Sequence, residues 1–143
     1  CHPRSRNRLV ASGFKLDSRV QVQQPLGFHD YNWLQMNAFA VVSDSGTLPE
    51  ESSFYASIGK PISAVCIRTS TERPEAIDKA CFILSGIDTK GLLQSVDLAV
   101  QMTKDGNHGI PVPSYTDDVS NKVVKIIQSY VGVVNKMVWR KEI

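Results

Sequence analysis

One strand–turn–helix segment constrains this chain more than any other part of it. Phe39–Val42 is a short apolar run typical of a buried strand, and Ser43–Gly46 has the composition of a tight turn. Thr47 and Glu50 then stand at the spacing of a capping box, which predicts that a helix begins here. Pro49 supports this start, because the first helical turn contains N–H groups without an intrahelical partner and so tolerates proline.

The turn in this segment is a predicted anion site. The N–H groups of Ser45, Gly46 and Thr47 would converge at the positive end of a helix, and Gly46 would let a ligand approach the backbone closely. A phosphate group is the anion that suits such a site. The alternative is an ordinary strand-to-helix turn that binds nothing, since any α/β protein contains several of them.

Length and composition predict one domain with a substantial core. The chain has 143 residues, of which 42% are hydrophobic, and 16 basic against 14 acidic residues give a net charge of +2. No basic patch interleaved with aromatic residues indicates nucleic-acid binding, and no apolar run is long enough to span a membrane. We expect a soluble protein with neither partner. The opening Cys1-His2-Pro3, without an initiator methionine or a signal-like segment, suggests a piece of a longer protein.

The cysteines indicate a reducing compartment. Cys1, Cys66 and Cys81 are odd in number and lack metal-ligand spacing. Cys66 and Cys81 fall in apolar, strand-like runs, where a cysteine behaves as a small buried hydrophobic residue. We expect a cytoplasmic protein, and nothing in the sequence indicates a metal or a cofactor.

Short apolar runs alternate with helical patterns along the chain. The predicted strands are Val20–Val22, Phe39–Val42, Ile62–Ile67 and Cys81–Leu84, and the predicted helices between and after them are 30–37, the capped helix after Thr47, Glu72–Ala80 and Leu92–Met102. This order predicts an α/β fold, a Rossmann-like parallel sheet with helices on both faces. Ligands of such folds collect at the carboxyl ends of the strands. The predicted partial Rossmann-like domain covers residues 1–104.

The end of the chain contains a connector and one long helix. Residues 105–117 hold two prolines and two glycines and predict a connector that wraps over the surface. Residues 118–143 follow, with a helix from about Asp118 to Arg140 whose apolar residues recur every three or four positions. A stripe of this length needs more cover than a small sheet offers, so we expect it to reach toward another domain or chain. The alternative is that it packs on its own sheet.

Arg73 is a second candidate for anion binding. It stands just before Pro74 and after the predicted strand Ile62–Ile67, which places it at the carboxyl edge of the sheet. A guanidinium can donate two parallel hydrogen bonds to phosphate oxygens, whereas a lysine offers only a point charge. The alternative is a solvated surface cluster in which Arg73 pairs with Glu72 or Glu75.

Five short motifs between His2 and about Gly86 together resemble one enzyme family. They are His2 followed by arginines, Pro25–Tyr31, Ser43–Gly46 with Glu50-Glu51, Gly59-Lys60-Pro61, and Thr71–Ala76. In this order they resemble the C-terminal half of the non-hydrolysing UDP-N-acetylglucosamine 2-epimerases. The end of the chain, Val119 to Lys141, resembles the capsule and O-antigen branch, which epimerises a UDP-2-acetamido-2,6-dideoxyhexose on the way to UDP-N-acetylfucosamine.

This resemblance implies a fold and a set of site residues. The fold would be a glycosyltransferase-B-like pair of Rossmann-like domains, of which this chain is most of the C-terminal half without its first strand. The implied partners are the missing N-terminal domain and further copies of the protein in a homo-oligomer. The implied contacts go to a UDP-sugar. Ser45, Gly46 and Thr47 would contact the diphosphate, and Arg73 would contact phosphate oxygens. Glu51 would bind the ribose, while the backbone of Leu26 and the ring of Tyr31 would contact uracil. His2 would lie at the sugar end as the catalytic residue.

The implied reaction eliminates UDP across C1–C2 and adds it back with the proton on the opposite face. The turn and Arg73 would stabilise the departing diphosphate, whereas the carboxylates that act at C2 are expected outside this chain. Thr47 replaces the family's usual second glycine, and Pro3 replaces the first arginine of its His-Arg-Arg-Glu pattern. Two other function classes stay open: a glycosyltransferase of the same fold and a non-catalytic nucleotide-sugar binding module.

Overall fold

A computed structural model describes residues 3–115 and 118–141, with side chains from Ser5 onward. They form two compact units, one that ends at Asn37 and one that begins at Ala38. His2, the predicted catalytic residue, lies outside the described residues.

The first unit contains two helices and no strand in its described part. Helix α1 spans Pro3–Ala11 and helix α2 spans Phe28–Asn37. The predicted strand Val20–Val22 is wrong, because this segment is irregular and exposed. Its local contacts belong to a turn in which Val20 donates its N–H to the Asp17 carbonyl at 2.9 Å. Three alternating residues without a neighbouring strand have no ladder to join, which is why the alternation did not produce a strand.

The second unit is built on a three-stranded parallel sheet. The strands β1 (Val41–Ser43), β2 (Ala64–Cys66) and β3 (Ile83–Leu84) lie in this order across the sheet. The helices are α3 (Leu48–Ser57), α4 (Pro74–Asp78), α5 (Thr89–Lys104) and α6 (Val119–Met137), with a 3₁₀ turn at Pro113–Tyr115. The predicted α/β, Rossmann-like class is confirmed. Each predicted strand of this unit is present with fewer residues, and β1 extends one residue past its predicted end at Val42.

Helices cover both faces of the sheet. Successive residues of a strand point to opposite faces, and all three residues of β2 are buried, Val65 completely. Ala64 and Cys66 belong to a core cluster with Leu48 and Tyr55 of α3. Val65 points to the other face, and α5 is the other helix in extensive contact with β2.

Buried hydrogen bonds join α3 to later parts of the chain. The Ser52 hydroxyl donates to the Cys81 carbonyl at 2.5 Å, and the Ser53 hydroxyl accepts from the Val112 N–H at 2.8 Å. Val112 is itself part of the core cluster. The segment after α5 therefore contributes to the core as well as running over the surface.

Gly109 brings this segment into close contact with the backbone that directly follows helix α4. Its φ is +87°, a left-handed conformation that favours glycine, and a Cβ there would lie 2.6 Å from the carbonyl carbon of Ala80. The next residue, Ile110, donates its N–H to the Lys79 carbonyl at 2.8 Å and accepts from the Cys81 thiol at 3.2 Å. Only glycine permits so close an approach of two backbones.

Helix α6 has no buried residue along its length. Its large apolar side chains are all exposed in this chain, from Val119 to Met137. Its N-cap is Asp118, whose side chain accepts from the Asn121 N–H at 3.3 Å. Within the described residues, no helix combines the length and the apolarity needed to cross a lipid bilayer.

Candidate functional site

The turn between β1 and α3 is exposed at Gly46 and Thr47 and half-buried at Ser45, and its own hydroxyl groups stabilise it. Ser45 donates its N–H to the Ser43 hydroxyl at 3.0 Å, and Thr47 donates its N–H to the Ser45 hydroxyl at 3.2 Å. The hydroxyls of Ser45 and Thr47 are hydrogen-bonded to each other at 2.9 Å. Gly46 lies between them with its backbone open to solvent. The turn therefore presents a small polar surface at the carboxyl end of β1.

The predicted capping box at Thr47 and Glu50 is wrong. Thr47 is the N-cap residue, but its φ of −91° and ψ of −9° are helical, and its side chain caps no backbone N–H. A capping side chain normally needs an extended backbone in order to fold back on the first turn. The Thr47 hydroxyl instead donates to Glu51 Oε1 at 2.9 Å. Pro49 does stand in the first turn, as predicted.

Arg73 is held against the first turn of α3. Its Nε donates to Glu50 Oε1 at 2.5 Å, and its Nη1 donates to the Glu72 carbonyl at 3.2 Å. The Glu50 carboxylate raises the pKa of Arg73. The carboxylate partner is thus neither Glu72 nor Glu75, the two that a surface cluster predicted. Arg73 lies on the same edge of the sheet as the turn, because Glu50 belongs to the helix that the turn begins.

A second guanidinium, which the sequence did not single out, lies over the turn. The parallel register pairs Ser43 with Cys66, so Ser45 and Arg68 each follow the last paired residue by two positions. Arg68 donates through Nη1 and Nη2 to the two carboxylate oxygens of Glu72, at 2.9 and 2.8 Å. A Cβ on Gly46 would lie 3.6 Å from Arg68 Nη1 and 3.7 Å from Glu72 Oε2.

The Arg68–Glu72 pair changes the electrostatics above the turn. The hydrogen bonds from Arg68 lower the pKa of Glu72, and the same bonds raise the pKa of Arg68. Both groups are therefore charged at neutral pH. The positive charge over Gly46 is compensated by Glu72 as long as the two remain paired.

A tyrosine and a carboxylate lie beside Arg73. Tyr115 donates its hydroxyl to Glu75 Oε1 at 2.7 Å. This hydrogen bond lowers the pKa of Glu75, whereas burial and the carboxylate raise the pKa of Tyr115. The two residues connect the 3₁₀ turn to helix α4. Among the described residues, no three His, Cys, Asp or Glu side chains converge as metal ligands would.

Comparison with known proteins decides the family. A family model described as UDP-N-acetylglucosamine 2-epimerase matches residues 1–128. This chain belongs to the UDP-N-acetylglucosamine 2-epimerase family. A curated protein of that name from Methanococcus maripaludis is 30% identical over 119 residues, which cover 76% of this chain and 31% of that protein.

Two further relatives extend the comparison. A UDP-2,3-diacetamido-2,3-dideoxy-D-glucuronate 2-epimerase from Pseudomonas aeruginosa is 31% identical over 71% of this chain and 27% of its own length. The solved structure of a UDP-N-acetylglucosamine 2-epimerase from Rickettsia bellii superposes on 98% of this chain and 38% of its own, with a TM-score of 0.68 and 35% identity. The chain spans about a third of the length of the curated relatives that it matches.

The structure brings together part of the predicted site of this family member. The residues that lie around the first turn of α3 are Ser45, Gly46, Thr47, Glu51 and Arg73. Leu26 and Tyr31 belong to the first unit: Leu26 lies just before α2 and Tyr31 lies within it. The Tyr31 hydroxyl accepts from Gln35 Nε2 at 3.0 Å. The ligand contacts of all these residues, and of His2, stay predictions.

Proposed function

We propose that this chain supplies the UDP-binding part of a UDP-sugar 2-epimerase. The observation that carries the proposal is the exposed turn Ser45–Thr47 at the start of α3, with the guanidiniums of Arg68 and Arg73 on the same edge of the sheet. An anion at this place would meet hydroxyls and the positive end of a helix. The N–H groups of Ser45 and Thr47, which donate to hydroxyls within the turn, would exchange those partners for the anion. Membership of the epimerase family supports a UDP-sugar as the source of that anion.

The proposed roles follow the charges of the groups. Ser45, Gly46 and Thr47 contact the diphosphate, and Arg73 adds positive charge at its oxygens. Glu51 accepts from the ribose hydroxyls, because a carboxylate beside a diphosphate would repel it whereas a vicinal diol offers two donors. In the structure the Glu51 carboxylate accepts from the Thr47 hydroxyl, so it already has a hydroxyl donor of the kind that a ribose offers.

The rest of the UDP-sugar is assigned to residues near the start of the chain. Leu26 meets uracil through its backbone, and Tyr31 packs on the base. His2 acts at the sugar end. These three roles come from the motifs in the sequence, and the family match over residues 1–128 supports them by including all three residues.

The proposed reaction is elimination of UDP from C1–C2 of the sugar followed by re-addition. The groups of this chain lower the barrier by stabilising charge on the leaving diphosphate. The groups that remove and return the C2 proton belong to a part of a longer protein outside this chain. The relatives, which are about three times as long as this chain, support that assignment. The proposed substrate is a UDP-N-acetylhexosamine, extending to UDP-2-acetamido-2,6-dideoxyhexoses, in cytoplasmic synthesis of surface polysaccharide.

The proposed organisation assigns a function to each segment. Residues 1–104 form part of the UDP-binding domain, 105–117 the connector, and 118–143 a helix that packs on the missing N-terminal domain of the longer protein. The exposed apolar side chains of α6 support this last assignment, because an isolated helix of 19 residues gains little stability from such a face in water. The longer protein would form a homo-oligomer.

Calorimetric titration of the chain with UDP tests the nucleotide site. We expect binding in the millimolar range or tighter, weaker binding of uridine, and a loss of UDP affinity in Ser45→Ala. Ser57→Ala is the matched control, because Ser57 is an exposed serine at the other end of α3 whose hydroxyl donates to the Phe54 carbonyl. Absence of UDP binding at millimolar ligand would contradict the proposal.

A second experiment tests the reaction in the longer protein. Candidate UDP-sugars are incubated with it in deuterated water, and deuterium at C2 is measured in substrate and product. Epimerisation through a glycal requires exchange at C2. Transfer of the sugar to an acceptor without exchange would indicate a glycosyltransferase instead.

A further inference from the structure

We propose that Arg68 is a phosphate-binding residue whose guanidinium exchanges Glu72 for the diphosphate when UDP binds at Gly46. The proposal rests on the proposed function of the turn and adds a residue and a conformational step to it. We call the ion pair between Arg68 and Glu72 the latch.

The position of the latch supports a role at the turn. Its polar atoms lie 3.6 and 3.7 Å from the place that a Cβ on Gly46 would occupy. A phosphate oxygen that accepts from the Gly46 N–H would therefore lie within reach of the guanidinium. Arg68 is also placed there by the sheet register and not by a flexible loop alone, since it follows β2 by two residues.

The chemistry of the latch favours exchange. Arg68 presents two N–H donors to two carboxylate oxygens, and the same fork matches two oxygens of a phosphate. In the unexchanged state the Glu72 carboxylate would lie beside the diphosphate and repel it. Binding is therefore favoured when the carboxylate turns away and the guanidinium stays.

The exposure of the two side chains indicates which one moves. The Glu72 side chain is 62% exposed, whereas that of Arg68 is 29% exposed. Glu72 can therefore turn into water with little loss of packing or hydration. The ion pair of Arg73 is less able to open, because one carboxylate oxygen of its partner Glu50 is buried in the structure.

The surroundings of Arg68 leave room for a ligand. Arg68 lines an open cavity of about 510 Å³ together with Asp44, Ile67, Thr69, Ser70 and Ile87. The open side of the guanidinium therefore faces space that a ligand could occupy.

Calorimetric titrations of the full chain with UDP, pyrophosphate and uridine test the latch. Arg68→Ala is expected to lower the affinity for UDP and pyrophosphate by about tenfold or more, since a charge-assisted hydrogen bond is lost. Arg68→Lys is expected to be intermediate, because it keeps the charge but not the fork. Glu72→Gln is expected to raise affinity severalfold, and uridine binding should change in none of them.

Arg19→Ala is the matched control for net charge. Arg19 forms an exposed, two-point ion pair with Asp17, at 2.8 and 3.1 Å, much as Arg68 does with Glu72. Thermal melting of each variant establishes that it folds. If Arg68→Ala does not fold, the comparison is made with Arg68→Lys.

The outcomes separate this inference from the proposed function. If the wild-type chain binds neither UDP nor pyrophosphate, the proposed function fails and the latch fails with it. If the wild type binds UDP but Arg68→Ala weakens binding no more than Arg19→Ala does, the latch alone is overturned. Weaker binding of UDP by Glu72→Gln would also overturn it, because the carboxylate would then assist the ligand.

Discussion

Replacing Gly109 with alanine is expected to destabilise the second unit more than any other single-methyl change at a glycine. The residue has a φ of +87°, and a Cβ there would lie 2.6 Å from the Ala80 carbonyl carbon and 2.7 Å from the Lys79 carbonyl oxygen. Both contacts involve backbone atoms, which cannot turn aside as a flexible side chain can. The connector would have to move away from the backbone that follows α4.

Two costs add up in Gly109→Ala. Holding a non-glycine residue in the left-handed region costs about 1–2 kcal/mol. Forcing backbone segments apart in a packed region costs about 1–3 kcal/mol more, as other overpacking changes do. We therefore expect a loss of about 2–5 kcal/mol in the free energy of unfolding.

Gly59→Ala is the matched control for the first cost. Gly59 has a φ of +71°, but a Cβ on it would meet nothing within 4 Å. Its expected cost is the strain alone, about 1–2 kcal/mol. Urea denaturation followed by circular dichroism measures both variants against the wild type. An effect of Gly109→Ala no larger than that of Gly59→Ala would refute the argument from backbone contact.

Three further predictions follow from burial and hydrogen bonding. Because burial raises the pKa of both the Cys66 and Cys81 thiols, iodoacetamide should label them slowly in the folded chain and quickly in urea, as peptide mass spectrometry would show. Rapid labelling of either in the folded chain would contradict this. Tyr115→Phe should raise the pKa of Glu75 toward that of a free glutamate, measured by carbon NMR, since it removes the hydrogen bond that lowers it. The stability that this lowered pKa provides is present at neutral pH and is lost as the pH falls through the folded-state pKa of Glu75, so the variant should lose less stability on acidification. Ile127→Asp should change the free energy of unfolding of the chain by less than about 0.5 kcal/mol, because the side chain is exposed; a larger loss would show that α6 packs on its own sheet.

The order of strands and helices in the second unit could be predicted from the sequence. Alternation of apolar runs with helical patterns suffices for this, because each strand of a parallel sheet must be followed by a crossover. Boundaries were less accurate. Helix α4 ends at Asp78, before the predicted end at Ala80, since Ala80 has a φ of +55° and cannot continue a helix. Helix α5 begins before Leu92, because the Asp88 side chain accepts from the Gly91 N–H at 2.8 Å.

The site could be predicted only in part. Pattern and resemblance located the turn and Arg73, but they assigned the Thr47 side chain to a cap that its backbone angles exclude. Arg68 was missed because the register between two neighbouring strands cannot be derived from the sequence pattern. The register of β1 and β2 places it over Gly46, and register depends on the whole packed sheet. Its position two residues after a buried strand is the signal that could have drawn attention to it.

The central claim is that the amides at the start of α3 bind the diphosphate of a uridine nucleotide. The most direct measurement is an NMR titration of the isotope-labelled chain with UDP, following every backbone amide. We expect the largest saturable shifts at Ser45, Gly46 and Thr47, together with a shift of the Arg68 side-chain N–H. No shift at these amides at millimolar UDP, or shifts confined to other parts of the chain, would contradict the account.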